Sequence, residues 1–330
     1  MSTSSKPLTI WCSRLFVQPL LDRFEDAVKP HRVLYSADAA ETNLLPCVRD
    51  PALFDDVQIA FGQPPIDDIF ASKSLRWIQL TSAGYTRYDR DDLRQSLKAR
   101  GIALCNASGV YDEPCAQHVV AMMLALARQL PAAYASQLGD HGWPYLPLRA
   151  RSRILANKEL VLLVGYGAIA KRIAEILKGF DLEVVAFRRT VRGDEVVPTH
   201  SIDKLDGFLP RAQHVVNILP ASPSTRHLFD PARIARIKPG SFFYNIGRGD
   251  TVDQDALVDS LRAGHFAHAY LDVTTPEPLP KEHPLWSLPN CYITPHTAGG
   301  TVDESMRQIE HFARNLRRFD AGEPLADRIV

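Results

Sequence analysis

The feature that most constrains this chain is an apolar strand that turns sharply on glycines into a helix. Glu159-Leu160-Val161-Leu162-Leu163-Val164 is apolar after its first residue, as a parallel strand covered on both faces must be. It runs directly into Gly165-Tyr166-Gly167-Ala168-Ile169-Ala170, after which Ile169, Ile173, Ile176 and Leu177 recur at helical spacing. A G-x-G-x-x-G/A turn between a strand and a helix serves to hold a dinucleotide. The first glycine permits the tight turn and the second lets backbone approach a pyrophosphate. The third position must be small, and Ala170 satisfies it. Free N–H groups and the dipole at the helix N-terminus attract the anion. The same residues also fit an ordinary strand–turn–helix whose glycines serve geometry alone, and the surrounding pattern has to decide.

That pattern is an alternation of strands and helices along the chain. Leu8–Cys12, Val57–Phe61, Leu75–Leu80 and Gly101–Cys105 read as strands, with Gln18–Val28 helical between the first two. After Val164 come Leu182–Phe187, Gln213–Leu219, Ser241–Ile246, His268–Val273 and Cys291–Thr294. Such alternation predicts parallel sheets, and the second run is that of a doubly wound α/β domain. A length of 330 residues suits two domains. A long helix is expected from an N-cap at Asp112, with Pro114 in its first turn. Val119, Val120, Met122, Met123, Leu124 and Leu126 make it apolar on most faces, so it reads as buried. Gly139–Arg153 reads as irregular.

At the end of the second strand of a dinucleotide-binding domain, an Asp or Glu ordinarily bonds the ribose 2′-hydroxyl. Here Arg188 and Arg189 stand there. A guanidinium pair offers charge-assisted donors to a 2′-phosphate, so NADP(H) is the expected cofactor and NAD(H) the lesser one. Solvated surface arginines are the alternative. Lys+Arg and Asp+Glu both number 38, which leaves no basic excess for a nucleic-acid partner. The five cysteines, Cys12, Cys47, Cys105, Cys115 and Cys291, form no CxxC. The N-terminus lacks a long apolar h-region. Both facts point to a cytoplasmic protein, and the most apolar helical stretch, Cys115–Ala127, is too short to span a bilayer and contains Gln117 and His118, so no membrane partner is expected.

Four further segments complete the pattern: Asn245-Ile246-Gly247-Arg248-Gly249, Leu271 to Pro278, His283-Pro284-Leu285-Trp286, and Thr294-Pro295-His296-Thr297-Ala298-Gly299. In order and spacing they resemble the D-isomer-specific 2-hydroxyacid dehydrogenase family, which includes glyoxylate/hydroxypyruvate reductases and phosphoglycerate dehydrogenases. The resemblance runs over nearly the whole chain and is strongest from Leu155 to Gly300. It implies two Rossmann-like or flavodoxin-like α/β domains with parallel sheets and an active site in the cleft between them. It also implies a discontinuous substrate-binding domain, 1–106 plus 296–330, a dinucleotide-binding domain, 107–295, and a homodimer. The implied catalytic set is Arg248, Glu277 and His296, where His296 donates a proton, Glu277 pairs with it, and Arg248 binds the substrate carboxylate and keto oxygen. Substrate contacts would add the backbone N–H groups of Ala83 and Gly84. The implied cofactor contacts are Gly165, Tyr166, Gly167, Ala168, Ile169, Arg188, Arg189, Leu219, Pro220, Thr225, Ile246, Gly247, Asp272, His296, Ala298 and Gly299. Among these, Asp272 would bind the nicotinamide carboxamide.

The chemistry needs these residue types. Hydride addition to a keto carbon leaves an alkoxide that needs a proton, and a histidine near working pH can supply one. A neighbouring carboxylate stabilises the imidazolium. A guanidinium grips a carboxylate and polarises a carbonyl. Taken singly, His296 also fits a structural loop histidine and Glu277 a solvated turn acid. Arg248 between two glycines is harder to explain that way. His265 and His268 are an isolated pair and imply no metal. The chain departs from the family at Ala170, at Arg188, and at Ala116-Gln117, where many members have Ala-Glu. Three other readings remain. One is a dehydrogenase for a bulkier acid. Another acts on a small anion such as phosphite; the formate dehydrogenase relatives have Gln where this chain has Glu277. The third is a dinucleotide-sensing corepressor, disfavoured by the short stretch after Gly322-Glu323-Pro324-Leu325.

Overall fold

The computed structural model describes residues 6–40 and 54–330, so Cys47 and the first five residues lie outside the described part. Two compact units result. One runs through Tyr111 and resumes from Thr301 to Val330; the other spans Asp112–Gly300. The crossings fall five residues later than the expected 106/107 and 295/296. At the first, Tyr111 Oη donates within the first unit, 2.9 Å from the Thr81 carbonyl and 3.0 Å from Glu304. At the second, the N–H groups of Thr297 and Ala298 are bonded to Asp272, which keeps 296–300 with the second unit.

In the first unit, β1 (Thr9–Arg14), β2 (Arg32–Ala40), β3 (Ile59–Phe61), β4 (Trp77–Gln79) and β5 (Ala103–Cys105) form a parallel sheet in the order β2-β1-β3-β4-β5. The four expected strands are β1, β3, β4 and β5. β2 is an addition: it is an edge strand with a single fully buried residue, Ser36, and shows no clean alternation. The helix expected over Gln18–Val28 spans Leu20–Ala27. The C-terminal helix Glu304–Ala321 buries Ile309, Phe312, Ala313 and Leu316 at helical spacing. Phe312 stacks on Phe61 at 4.2 Å and on Trp77 at 5.2 Å. Burying such a ring stabilises by about 1.5–3 kcal/mol. Gly322, at φ 69°, takes the left-handed cap that stops this helix.

The long helix starts at Ser108 rather than after Asp112. Asn106 Oδ1 accepts the Ser108 N–H and hydroxyl, so capping begins earlier. Pro114 therefore lies inside the helix, where its missing N–H strands the Val110 carbonyl. Arg307 fills that place, donating from Nε at 3.1 Å and Nη2 at 2.7 Å. Val119, Met123 and Leu126 are buried as expected, whereas Leu124 is exposed.

In the second unit, β6 (Glu159–Val164), β7 (Leu182–Arg188), β8 (Thr199–Ser201), β9 (His214–Asn217), β10 (Ser241–Asn245), β11 (Phe266–Leu271) and β12 (Cys291–Ile293) form a parallel sheet. The order is β12-β11-β10-β9-β6-β7-β8. The chain enters at β6, runs outward to β8, then crosses to β9 and runs outward the other way. The direction reverses between β6 and β9, and in such sheets ligands bind at the carboxyl ends beside that reversal. Leu162, Val164, Phe187, Val215, Phe243 and Leu271 fill the core on one face. The stretch expected to be irregular, Gly139–Arg153, contains a helix at Tyr145–Arg151: Gly139, Gly142 and Pro144 precede it, and Pro147 falls in its first turn, where a missing N–H costs nothing. Among the described residues no single helix is long and apolar enough to cross a membrane.

Candidate active site

Two close approaches shape the carboxyl end of the second sheet. Gly165 sits at φ 103°, where a Cβ would lie 3.1 Å from the Ile218 carbonyl. At Gly247 a Cβ would lie 2.5 Å from the Leu219 oxygen. The ends of β6 and β10 can therefore close on the segment after β9 only with glycine in those places. A Cβ on Gly167, by contrast, meets no protein atom within 4 Å. Ala170 is fully buried, as its role in helix–strand packing requires. The first N–H of helix Ala168–Leu177 bonded to the preceding turn is Lys171's, to the Gly167 carbonyl at 3.0 Å. The N–H groups of Ala168, Ile169 and Ala170 are thus the ones a helix start leaves for an anion. The glycine approaches and this helix start fit a dinucleotide pyrophosphate.

Arg188 ends β7, as expected, and is held rather than loose. Its Nη1 donates to Glu195 at 2.7 Å and to Asp194 at 3.4 Å. Its guanidinium carbon lies 5.4 Å from the Tyr166 ring centroid. Its Nε and Nη2 have no partner among the described residues. Arg189 Nη2 is 3.5 Å from Ser224 Oγ. Leu219 and Ile246 are buried, and Thr225 Oγ1 donates to the Pro220 carbonyl at 2.7 Å.

Arg248 stands on a buried polar platform. Asn217, at the end of β9, donates to Asn245 Oδ1 at 3.0 Å and to Thr251 Oγ1 at 2.6 Å. Thr251 in turn donates to the Arg248 carbonyl at 2.6 Å, and Asn245 Nδ2 donates to it at 3.2 Å. Asn217, Asn245 and Thr251 are each 1% exposed or less. Leaving one such buried group unpaired costs about 1–3 kcal/mol, so the network defines a single backbone course at Arg248. Sequence reasoning missed Asn217 and Thr251; for Asn217 a polar residue ending an apolar strand, matched by Asn245 at the end of the next, was the available signal, and Thr251 carried none. Arg248 Nη1 donates to the Gly247 carbonyl at 2.6 Å. Its Nε and Nη2 have no partner among the described residues, which leaves one two-donor edge of the guanidinium open.

Glu277 and His296 meet. His296 Nδ1 is 2.8 Å from Glu277 Oε2, and Glu277 Oε1 accepts the Thr274 N–H at 3.1 Å. Partial burial pushes the Glu277 carboxyl up. The bond from His296, its charge, the Thr274 N–H and nearby Arg248 together outweigh it and hold the carboxyl below its ordinary range. A lowered carboxyl stabilises the fold above the unfolded value, and that contribution is lost as pH falls through the lowered one. The carboxylate is therefore ionised throughout the range in which histidines ordinarily titrate. His296 Nε2 has no partner among the described residues.

His296 occupies the left-handed region, at φ 53°, which costs a non-glycine residue free energy and needs surrounding support. Asp272, 3% exposed, supplies it. Oδ1 accepts from Thr294 Oγ1 at 2.6 Å, from the Thr297 N–H at 2.9 Å and from the Ala298 N–H at 3.1 Å, and the Asp272 carbonyl accepts the His296 N–H at 2.9 Å. This anchoring role adds to the nicotinamide contact expected of Asp272. Gly299 follows on the same loop. Ala83 and Gly84 lie in the first unit, after β4. Their carbonyls accept from Asn106 and Ser82, and their N–H groups make no bond among the described residues. A cavity of about 520 Å³ elsewhere in the second unit, lined by Gln129, Arg151, Arg153, Phe242 and His268, includes none of the expected site residues.

The sequence model described as the D-isomer specific 2-hydroxyacid dehydrogenase NAD-binding domain matches residues 120–298. A glyoxylate reductase/hydroxypyruvate reductase of Mus musculus is 34% identical over 78% of this chain and 78% of its own length. A glyoxylate reductase of Thermofilum pendens is 32% identical over 77% of this chain and 74% of its own. A D-isomer specific 2-hydroxyacid dehydrogenase from Xanthobacter autotrophicus, solved with NADPH and MES, superposes with a TM-score of 0.79 at 27% identity, covering 99% of this chain and 98% of that one. A glycine turn at the sheet reversal, with Arg248, Glu277 and His296 following β10, β11 and β12, thus stands in a chain that belongs to the D-isomer specific 2-hydroxyacid dehydrogenase family of nicotinamide-dependent oxidoreductases.

Proposed function

We propose that this chain reduces a small 2-keto acid of the glyoxylate or hydroxypyruvate type to the D-2-hydroxy acid, with NADPH preferred over NADH. The observation that carries this reading is the His296–Glu277 pair at 2.8 Å within the same unit as Arg248, whose Nε and Nη2 edge is open. Glu277 occupies the Nδ1 side of the imidazole, so the proton leaves from Nε2. Arg248 offers two parallel donors to a carboxylate and its adjoining keto oxygen, stabilising negative charge as it grows on that oxygen. The turn at Gly165–Ala170 and the helix start at Ala168 would hold the dinucleotide, whose reduced nicotinamide supplies the hydride. The substrate-carboxylate role of Ala83 and Gly84 belongs to the same proposal and rests on the resemblance. Arg188, Arg189 and the absence of a carboxylate at the end of β7 support the NADPH preference.

The purified chain, assayed with a panel of 2-keto acids, should oxidise NADPH fastest with glyoxylate or hydroxypyruvate and several-fold more slowly with NADH. Failure to turn over any keto acid would overturn the enzymatic reading. Oxidation favouring a large branched keto acid would overturn the substrate class alone.

We also assign the chain to the cytoplasm, supported by the buried thiols of Cys105, Cys115 and Cys291, which form no disulfide among the described residues; cell fractionation checks this. The same proposal makes the chain a homodimer through its dinucleotide-binding unit. Tyr134, Leu138, Trp143 and Leu146 in that unit are 62%, 80%, 91% and 72% exposed, an apolar run ordinarily covered. Sedimentation should give about twice the chain mass, and Trp143→Asp should shift it toward one; a wild-type monomer would refute the assignment.

A further inference from the structure

Between Arg188 and Val196 the chain makes a tight excursion that the catalytic geometry leaves unexplained. Glu195 lies at its centre, with a side chain only 4% exposed. Its Oε1 accepts the Arg192 N–H at 2.8 Å and Arg188 Nη1 at 2.7 Å, and its Oε2 accepts the Gly193 N–H at 2.7 Å. The two backbone bonds close the loop around the carboxylate, and the third ties the loop to the end of β7. Tyr166, between the two glycines of the phosphate turn, completes the assembly. Its ring lies beneath the Arg188 guanidinium, and its hydroxyl accepts the Val196 N–H at 2.9 Å. A solvated acid would show none of this convergence.

We infer that Glu195 is a positioning residue for cofactor choice: it locks Arg188 so that the Nε and Nη2 edge of the guanidinium faces outward, ready for the 2′-phosphate of NADPH. This inference rests on the cofactor reading proposed above and extends it to a residue that does not itself touch the dinucleotide. Both Glu195 oxygens are committed to the loop and to Arg188, so the carboxylate is not free to bond a ribose hydroxyl as an NAD-selective acid would. Its carboxyl is held down to about 2, first by the Arg192 N–H, with Arg188 and Gly193 adding to it, so the lock is ionised across any working pH. An arginine side chain is rich in rotamers, and a grip formed in advance removes the ordering cost that binding would otherwise carry. That effect corresponds to roughly three- to tenfold in affinity. Opposing it, the Glu195 charge repels an approaching phosphate, and the experiment must separate the two.

NADPH and NADH are titrated against the wild type, Glu195→Ala, Arg188→Ala and the double variant, following the nicotinamide fluorescence. Glu195→Ala should weaken NADPH roughly three- to tenfold and leave NADH within about twofold. In the Arg188→Ala background, adding Glu195→Ala should change NADPH binding little, because the lock then has nothing to hold. If Glu195→Ala keeps or tightens NADPH, charge repulsion dominates and the inference fails. If it weakens both dinucleotides equally, Glu195 only scaffolds the loop and the inference fails. A wild type that binds NADH as tightly as NADPH overturns the cofactor reading itself, and the inference with it. A wild type that favours NADPH beside a Glu195→Ala variant with the same ratio overturns the inference alone.

Discussion

His296→Asn is expected to slow keto-acid reduction by about 10²–10⁴-fold while the dinucleotide still binds. Asparagine is the informative substitution because of the backbone. His296 sits at φ 53°, and asparagine enters the left-handed region more readily than alanine. The loop therefore keeps its course, and the lost rate reports the missing imidazole. Glu277 stays in place, 2.8 Å from where Nδ1 was, but has no proton donor to orient. His296→Ala should fall to a similar rate with a somewhat lower melting temperature. Stopped-flow reduction at saturating NADPH is the measurement. A His296→Asn enzyme that keeps a tenth of the wild-type rate would mean that another group, or water, protonates the alkoxide.

The second large effect belongs to Arg248. Arg248→Lys should lower kcat/KM for the keto acid by about 10²–10³-fold, with KM rising as well as kcat falling. Charge is conserved in this substitution, so the loss isolates geometry. The guanidinium is oriented by its own Nη1 bond to the Gly247 carbonyl at 2.6 Å, which turns Nε and Nη2 outward as a planar pair. An ammonium cannot present two parallel donors to a carboxylate and its neighbouring oxygen at once. The platform beneath, Asn217, Asn245 and Thr251, bonds the Arg248 carbonyl rather than its side chain, so the lysine variant should fold with unchanged stability. Steady-state kinetics on glyoxylate and hydroxypyruvate would decide. A loss below about tenfold would show that Arg248 acts through its charge alone.

How much of this was readable before any coordinates depended on how local the cause was. The strand at Glu159–Val164 and its glycine turn were legible because one run of sequence carries both the burial signal and the turn chemistry. Arg248, Glu277 and His296 were legible through the order of their motifs. Their meeting was not, since it depends on the parallel pairing of β10, β11 and β12. The start of the long helix was misread because the partner that makes Pro114 tolerable, Arg307, is 197 residues from the Val110 carbonyl it satisfies. β2 escaped because an edge strand that is half exposed need not alternate. Asn217 and Thr251 carried no motif; their importance comes from a burial that only packing reveals. Arg188 was legible as a cation, but the acid that holds it follows seven residues later in what reads as a loop.

The anchoring of the His296 loop has a consequence for how such a site can change. Backbone amides bound to Asp272, just past the end of β11, set the course of the loop, and the side chains of Pro295 and Thr297 make no hydrogen bond among the described residues that keeps it there. Pro295 and Thr297 are both exposed. Changes of side chain at those two positions thus leave the bonds that hold His296 in place, so the surface beside the imidazole can be reshaped without moving the ring.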